Sequence, residues 1–212
     1  YSNIPFGLPD EKILEDAKRN TWCVQYGIDE FWKIFTHRQL LSLGQLILQI
    51  RSLKEWLPRQ GYSALWVEAL IGELALSLDR QISFLCSNVR WKVDAEAVID
   101  AFARFAIPLM WDFAESNPIG ASAGSFELCY KRIATALDSF SNWQIVDFKG
   151  TALQQSATSL SLDGLDVIIT DPPYYDAIGY AVIMDFFYVW LRRVLHGIVP
   201  EADKAFSEPL SP

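Results

Sequence analysis

Two long apolar stripes with a helical period constrain the fold of this chain more than any other feature of its sequence. Leucine and isoleucine recur every three to four positions through residues 36–57, and a second stripe of this kind covers residues 63–86. Thr36 lies where an N-cap is needed, and Pro58 and Gly61 follow where the first helix must end. The stripes therefore predict two consecutive helices.

Weaker patterns predict further helices in the same part of the chain. We expect a short helix over residues 10–19, a helix that Asp94 caps and that continues into the run AVIDAFARF, and a helix over residues 126–140. Residues 108–124 are rich in proline, glycine and serine, which is typical of a loop. The sequence thus predicts a mainly helical segment for residues 1–142.

From residue 143 onward the apolar period changes. Residues 143–148 and the β-branched residues 165–170 are predicted strands, and residues 180–195 are a predicted apolar helix. Strand, connection, strand and helix in this order are typical of an open α/β sheet. We therefore predict an α/β fold, in which a predominantly helical segment (1–142) is followed by part of a Rossmann-like sheet in a partial catalytic domain (143–212).

Composition indicates a folded chain that is acidic overall. Of its 212 residues 51% are hydrophobic, which is enough for a sizeable core, and the net charge of −8 repels phosphate backbones. The three cysteines fit neither a disulfide framework nor a zinc site, and the two histidines have no metal-binding pattern. With no basic, apolar leader and no window of membrane-spanning length, we expect a cytoplasmic location without a membrane partner.

The predicted strand at residues 165–170 runs directly into Asp171-Pro172-Pro173-Tyr174. Two prolines can continue neither a helix nor a sheet, and they offer carbonyl acceptors without amide donors. Asp171 adds a further acceptor, and Tyr174 adds a flat face for stacking. Two fixed acceptors beside an aromatic ring suit a planar amine. The nitrogen of such an amine becomes a better nucleophile when both of its hydrogens are donated in hydrogen bonds. Such a nitrogen could then attack a positively charged methyl donor in line, with catalysis by positioning and electrostatics.

This stretch resembles the fourth motif of amino-group methyltransferases that use S-adenosyl-L-methionine, and its Asp and Tyr are most similar to the adenine-specific members. The resemblance implies that Asp171 and the Pro172 carbonyl accept hydrogen bonds from the amino group of an adenine flipped out of DNA. It also implies that Pro173 holds the turn and that Tyr174 stacks on the base. Tyr175 and Tyr180 are the further substrate-binding candidates.

Longer segments carry the same resemblance. The stretches FTHRQLLSLGQL, IPLMWDFAESNPIG and DPPYYDAIGYAVIMDFFYVWLRR are similar to a family of long adenine-specific DNA methylases of bacteria and archaea that begin with a domain of unknown function. The resemblance implies that this chain is an internal fragment. It implies as well that the helical segment lies where target-recognition regions are inserted in some methyltransferases.

The chain departs from that family in its cofactor motif, because it contains no Gly-x-Gly. NPIGASAG at residues 117–124 precedes a helix, and we interpret it as a loop in preference to a cofactor site. Thr151 is the one candidate for a cofactor contact. We therefore expect the fragment to be inactive alone and to need the rest of its polypeptide, or another subunit, to complete the S-adenosyl-L-methionine site.

The motif leaves other functions open. The amine could belong to RNA or to a protein amide, and a degenerate module could keep the fold for interactions without catalysis. On a purely structural interpretation, Asp171 caps the amides of a proline turn. Arg192 and Arg193 could contact phosphate, although two basic residues are a faint signal of a nucleic-acid surface.

Overall fold

A computed structural model of the chain describes residues 1–15, 21–102, 106–141, 155–159, 164–172, 179–207 and 210. Within these residues the fold is mixed and mostly helical, with five α-helices and one small antiparallel sheet. The helices are α1 (His37–Arg59), α2 (Ala64–Ile82), α3 (Phe126–Ser141), α4 (Tyr180–Leu195) and α5 (Pro200–Ser207), and the strands are β1 (Arg90–Lys92) and β2 (Ala97–Ile99). None of the helices in the described part of the chain is long and apolar enough to cross a membrane. The general mixture of helix and strand is confirmed, whereas the Rossmann-like sheet stays a prediction.

The apolar stripes form the core as predicted. Residues of α1, α2 and α4 are buried in one hydrophobic cluster, so α4 shares a core with the helical segment. The bounds of α3 and α4 agree closely with the predicted helices 126–140 and 180–195. α5 was not expected from the sequence; its proline at the first helical position needs no amide partner there.

A capping box starts α1. The Thr36 hydroxyl accepts a hydrogen bond from the Gln39 amide at 3.3 Å, and the Gln39 side-chain oxygen accepts one from the Thr36 amide at 2.8 Å. The helix ends as predicted, because Pro58 lies in its last turn and Gly61 follows with a φ of +91°. Left-handed backbone of this kind favours glycine after a helix.

Thr36→Ala should lower the free energy of unfolding by about 1 kcal/mol, because it leaves a helix amide without its acceptor. Ser63→Ala is the matched control, since Ser63 occupies the N-cap of α2 but makes no capping hydrogen bond. Urea denaturation of both variants measures the difference. Equal destabilisation by the two substitutions would contradict a specific role for the Thr36 cap.

The helix predicted from Asp94 is wrong. Val93–Ala95 form a single 3₁₀ turn, and the residues on either side pair as β1 and β2 with Arg90 opposite Ile99. Glu96 takes the left-handed conformation at the turn, with a φ of +48°. The β-branched Val98 and Ile99 fit a strand, and burial of Val98 against the core stabilises the hairpin over a helix.

The short helix predicted for residues 10–19 is also wrong where the structure describes it, up to residue 15. Lys12 forms an isolated antiparallel bridge with Glu30, and the Ile13 amide donates to the Asp29 carbonyl at 2.9 Å. These backbone bonds to a distant segment replace the local bonds that a helix would have made. Tertiary pairing therefore overrides the local helical signal.

The buried strand predicted for residues 165–170 is wrong as well. These residues form no strand, and their apolar side chains are exposed, with Ile169 at 92%. A strand exists only with a hydrogen-bonded neighbour. The neighbour that the sequence predicts, residues 143–148, lies outside the described residues.

Asp79 of α2 is a buried acid that should make stability depend on pH. It is only 8% exposed, its Oδ1 has no hydrogen-bond partner, and burial raises the pKa of its carboxyl well above the ordinary value. Above the ordinary pKa, the folded chain therefore keeps a proton that the unfolded chain has released. Stability then falls as pH rises towards the raised pKa, by at most about 1.4 kcal/mol per pH unit.

Asp79→Asn removes this titration while keeping the shape of the side chain. The variant should gain stability relative to the wild type between pH 4 and pH 8, as measured by urea unfolding at both values. The exposed Asp112→Asn is the control and should leave the pH dependence unchanged. A wild type and an Asp79→Asn variant with parallel pH profiles would show that Asp79 ionises normally in the fold.

Candidate functional site

The first half of the predicted motif is accessible. Asp171 and Pro172 are exposed and lie outside regular secondary structure. Asp171 makes no hydrogen bond or ion pair with another described residue. Its carboxylate is thus available to a ligand as an acceptor.

The other predicted site residues divide between described and undescribed parts of the chain. Pro173, Tyr174, Tyr175 and Thr151 lie outside the described residues. Tyr180 is described: it is the first residue of α4 and is 44% exposed. The motif is therefore followed within a few residues by the N-terminus of a long helix, with an accessible tyrosine at its start.

Aromatic packing fixes α4 in the core. The Phe186 ring lies 5.9 Å from the Phe35 ring and 4.9 Å from the Phe102 ring, centroid to centroid, and the Trp190 ring lies 5.1 Å from that of Phe35. Phe186 and Trp190 are fully buried. Such edge-on and offset aromatic pairs add to the stability that burial provides. The helix that follows the motif is thus held firmly against α1 and the residues after the hairpin.

Two cations from α1 hold the C-terminal end of α4. The Arg51 guanidinium donates to the carbonyls of Val194 at 2.6 Å and His196 at 3.0 Å, and Lys54 donates to the carbonyl of Gly197. The last carbonyls of a helix have no intrahelical donors and carry partial negative charge, so cations stabilise them. The C-terminal half of α1 therefore helps to position α4.

Arg193 connects α4 to the N-terminal segment. Its side chain is fully buried, and it donates to the carbonyls of Gly7 at 2.9 Å, Leu8 at 2.8 Å and Val189 at 2.6 Å. Its Nη2 also lies 2.8 Å from a carboxylate oxygen of Glu11. Burial lowers the pKa of Arg193, and the Glu11 carboxylate opposes that shift. The guanidinium is enclosed by acceptors of its own chain.

Arg192 belongs to the same network. It forms an ion pair with Glu11, and its guanidinium carbon lies 4.5 Å from the ring centroid of Phe6. The suggestion that Arg192 and Arg193 contact phosphate is therefore wrong. Both guanidinium groups pair with acceptors within the protein, because a buried cation must be compensated by carboxylate or carbonyl partners.

The glycine-containing loop at residues 117–124 packs as a structural loop. The Gln81 side-chain amide donates to the carbonyls of Pro118 and Gly124, each at 3.1 Å. Gly124 has a φ of +86°, and a Cβ placed on it would meet Ser116 at 2.8 Å and Phe84 at 2.9 Å. The two carbonyls accept hydrogen bonds from Gln81, and Ser116 and Phe84 fill the space next to Gly124. These contacts support the interpretation of residues 117–124 as a loop packed against the end of α2.

The titratable residues elsewhere do not converge on a metal site. Within the described ranges there is no group of three or more His, Cys, Asp or Glu side chains that could hold a metal ion. His37 is exposed, and His196 lies 3.2 Å from an Asp203 carboxylate oxygen near the start of α5. Burial raises the pKa of the Cys86 thiol to about 12 and that of Cys23 to about 11, which makes both thiols poor nucleophiles.

Two features of the structure had no clear signal in the sequence. Glu11 forms ion pairs with two arginines that lie about 180 residues away along the chain. Arg80 and Arg132 line a common cavity, although they belong to different helices. Neither pairing has a characteristic spacing, because each depends on how distant elements pack. A co-varying pair in related sequences is the kind of signal that would reveal such contacts.

Comparisons of the chain with protein-family models, with curated proteins and with solved structures found no match.

Proposed function

We propose that the chain provides the base-binding half of an enzyme that methylates the exocyclic amino group of adenine in DNA, an N-6 adenine-specific DNA methyltransferase dependent on S-adenosyl-L-methionine. One observation carries the proposal. The sequence Asp171-Pro172-Pro173-Tyr174 begins with an exposed carboxylate that has no described partner, and a helix fixed in the core starts soon after it, at Tyr180. This order of acceptor, rigid turn, aromatic ring and helix suits a pocket for a planar amine.

The residues would act by orienting the amine. Asp171 and the Pro172 carbonyl accept the two amino hydrogens, and Tyr174 stacks on the flipped base. Accepting both hydrogens makes the nitrogen lone pair more available for attack. Pro173 limits the movement of the turn, and Tyr175 and Tyr180 line the pocket. The contribution to catalysis is positioning and electrostatic stabilisation without a covalent intermediate on the protein.

The cofactor half must come from other residues. We interpret residues 117–124 as a structural loop, and the chain contains no Gly-x-Gly. Thr151 is the one contact that we assign to S-adenosyl-L-methionine from this chain. We therefore place the remaining cofactor site in another part of the same polypeptide or in another subunit, and we expect the isolated chain to be inactive.

We assign different roles to the two segments of the chain. Residues 143–212 would be part of a Rossmann-like catalytic domain. Residues 1–142 would shape the DNA cleft. Since the net charge is −8 and Arg192 and Arg193 are internally paired, most phosphate contacts would come from other segments. We place this activity in the cytoplasm.

Methyl-labelled cofactor tests the substrate. The complete polypeptide in which the chain occurs is incubated with labelled S-adenosyl-L-methionine and with DNA, RNA or protein in separate reactions. We expect label in DNA. Label in RNA or in a protein amide, with none in DNA, would replace the proposed substrate by one of these planar amines.

Calorimetry tests whether the enzyme has a cofactor site at all. We expect S-adenosyl-L-methionine to bind the complete polypeptide and to bind the isolated chain weakly or not at all. Absence of binding to the complete polypeptide would contradict the enzyme proposal and would favour a degenerate interaction module.

A further inference from the structure

A partly enclosed cavity lies between α2 and α3, and none of its described lining residues belongs to the Asp171 motif. It has a volume of about 170 Å³, and the residues around it include Arg80 and Phe84 on the α2 side and Leu128 and Arg132 on α3. A cavity of roughly 10–15 Å³ already holds one water molecule, so this one is large enough for a small polyatomic ion.

Two arginines face this cavity without a carboxylate. Arg80 and Arg132 make no hydrogen bond or ion pair with any described residue, and no acidic residue is among those described around the cavity. Glu127, the nearby acid in the first turn of α3, forms an ion pair with Lys131. In an acidic chain, two cations that share a cavity and have no described carboxylate partner create a local positive potential that attracts an anion.

Few of the described lysines and arginines lack a hydrogen-bond or ion-pair partner. Most described lysines and arginines bond to a carboxylate or a backbone carbonyl, as Lys33 and Arg51 do. The side chains without such a partner in the described part of the chain are Arg80, Arg90, Arg132 and Lys204. Two of these four line the same cavity, whereas Arg90 and Lys204 are absent from its lining. The latter two therefore serve as matched controls.

The surroundings also favour a built site. The guanidinium carbon of Arg80 lies 5.7 Å from the ring centroid of Phe84, which limits the freedom of the arginine. Cys129, which is 2% exposed, and Gly124 lie at the inner side of the cavity. Burial raises the pKa of the Cys129 thiol while the positive charge of Arg80 opposes the shift, so the arginine's charge acts at the cavity.

We propose that this cavity binds a phosphate group between Arg80 and Arg132. The planar guanidinium matches the oxygens of a phosphate through two parallel hydrogen bonds, which a carboxylate-free cavity leaves available. The phosphate could be carried by a small molecule or by a nucleic-acid backbone, since the chemistry of recognition is the same. The inference is independent of the proposed methyl transfer.

Titration of the chain with inorganic phosphate, followed by amide NMR at constant ionic strength, tests the site. We expect saturable shifts at Ala123, Gly124 and Leu128. Arg80→Ala and Arg132→Ala should each weaken the dissociation constant about tenfold or more, because a charged hydrogen-bond partner is lost. Arg80→Lys and Arg132→Lys should give intermediate affinities, because lysine keeps the positive charge but cannot form the two parallel hydrogen bonds of a guanidinium.

Arg90→Ala and Lys204→Ala should leave phosphate binding unchanged. Because both cavity arginines are exposed, the variants are expected to fold, and the unperturbed amide spectrum of the core verifies this for each one. Absence of saturable shifts in the wild type would overturn the proposal. Equal weakening by the control variants would also overturn it, because that result indicates attraction to net charge alone.

Competition identifies the source of the phosphate. Displacement of inorganic phosphate by a short DNA oligonucleotide, with a loss of that effect in Arg80→Ala, would support a backbone phosphate. Displacement by a nucleoside monophosphate or a sugar phosphate, but not by the oligonucleotide, would support a small phosphorylated ligand. If neither class displaces inorganic phosphate, the cavity takes only the free ion, and its assignment to a phosphate group of a larger ligand is overturned.

Discussion

Asp171→Ala in the complete polypeptide should lower the rate of methyl transfer by about 10²–10³-fold or more, because it removes one of the two acceptors that orient the amino group. The loss should appear mainly in kcat, since the acceptor is expected to bind the amine more strongly as the nitrogen becomes tetrahedral. Stability should change little, since Asp171 is exposed and has no described partner. Steady-state kinetics with labelled cofactor and urea unfolding measure the two effects separately.

Two further variants make this test specific. Asp171→Asn keeps one acceptor oxygen and should retain more activity than Asp171→Ala. Asp166→Ala removes another exposed carboxylate from the same segment and should leave the rate unchanged. Wild-type activity in Asp171→Ala would refute the acceptor role, and equal losses in Asp166→Ala and Asp171→Ala would indicate a general effect of charge.

Arg193→Met should lower the free energy of unfolding by about 3–5 kcal/mol, since it removes one partner of a buried ion pair. Methionine fills much of the arginine volume but donates no hydrogen bond. The substitution leaves the carbonyls of Phe6, Gly7 and Leu8 and the carboxylate of Glu11 without this donor. Urea denaturation of the purified variant measures the loss.

A double-mutant cycle separates the buried charge from lost packing. Arg193→Met together with Glu11→Gln should be more stable than the sum of the single changes predicts, because each single change already removes the contact between Arg193 and Glu11. Arg90→Met, which removes an arginine without a described side-chain partner, should change stability by less than about 0.5 kcal/mol. Strict additivity of the two substitutions would contradict a coupled network at this position.

The long helices could be predicted from the sequence because their signals are local. Thr36, Pro58 and Gly61 mark the bounds of α1, and a 3.6-residue apolar period identifies the faces of α2 and α4 that enter the core. These signals require no knowledge of the partner element. The start of α4 at Tyr180 was predicted correctly for the same reason.

The errors occurred where distant residues decide the local structure. Residues 10–15 pair with the segment around Glu30, and the residues after Asp94 pair with β1, so their local helical patterns were overridden. Residues 165–170 have the composition of a buried strand, but no described strand pairs with them. A strand cannot be predicted reliably from one segment, because its backbone hydrogen bonds are made with a second segment.

The chemistry of the candidate site stays a prediction, and the structure describes only part of its geometry. Asp171 and Pro172 are accessible, as a base-binding role requires, whereas Pro173, Tyr174, Tyr175 and Thr151 lie outside the described residues. Arg192 and Arg193 were interpreted from their charge alone, and their burial against Glu11 could not be foreseen from spacing.

The most direct test of the base-binding role is the nucleoside composition of DNA from cells that produce the complete polypeptide. Enzymatic digestion followed by mass spectrometry measures N6-methyldeoxyadenosine against unmodified deoxyadenosine. We predict that the methylated nucleoside appears with the wild type and is lost with Asp171→Ala at equal protein levels. Its absence with the wild type, or its persistence with Asp171→Ala, would contradict the claim that this chain holds the adenine amino group for methylation.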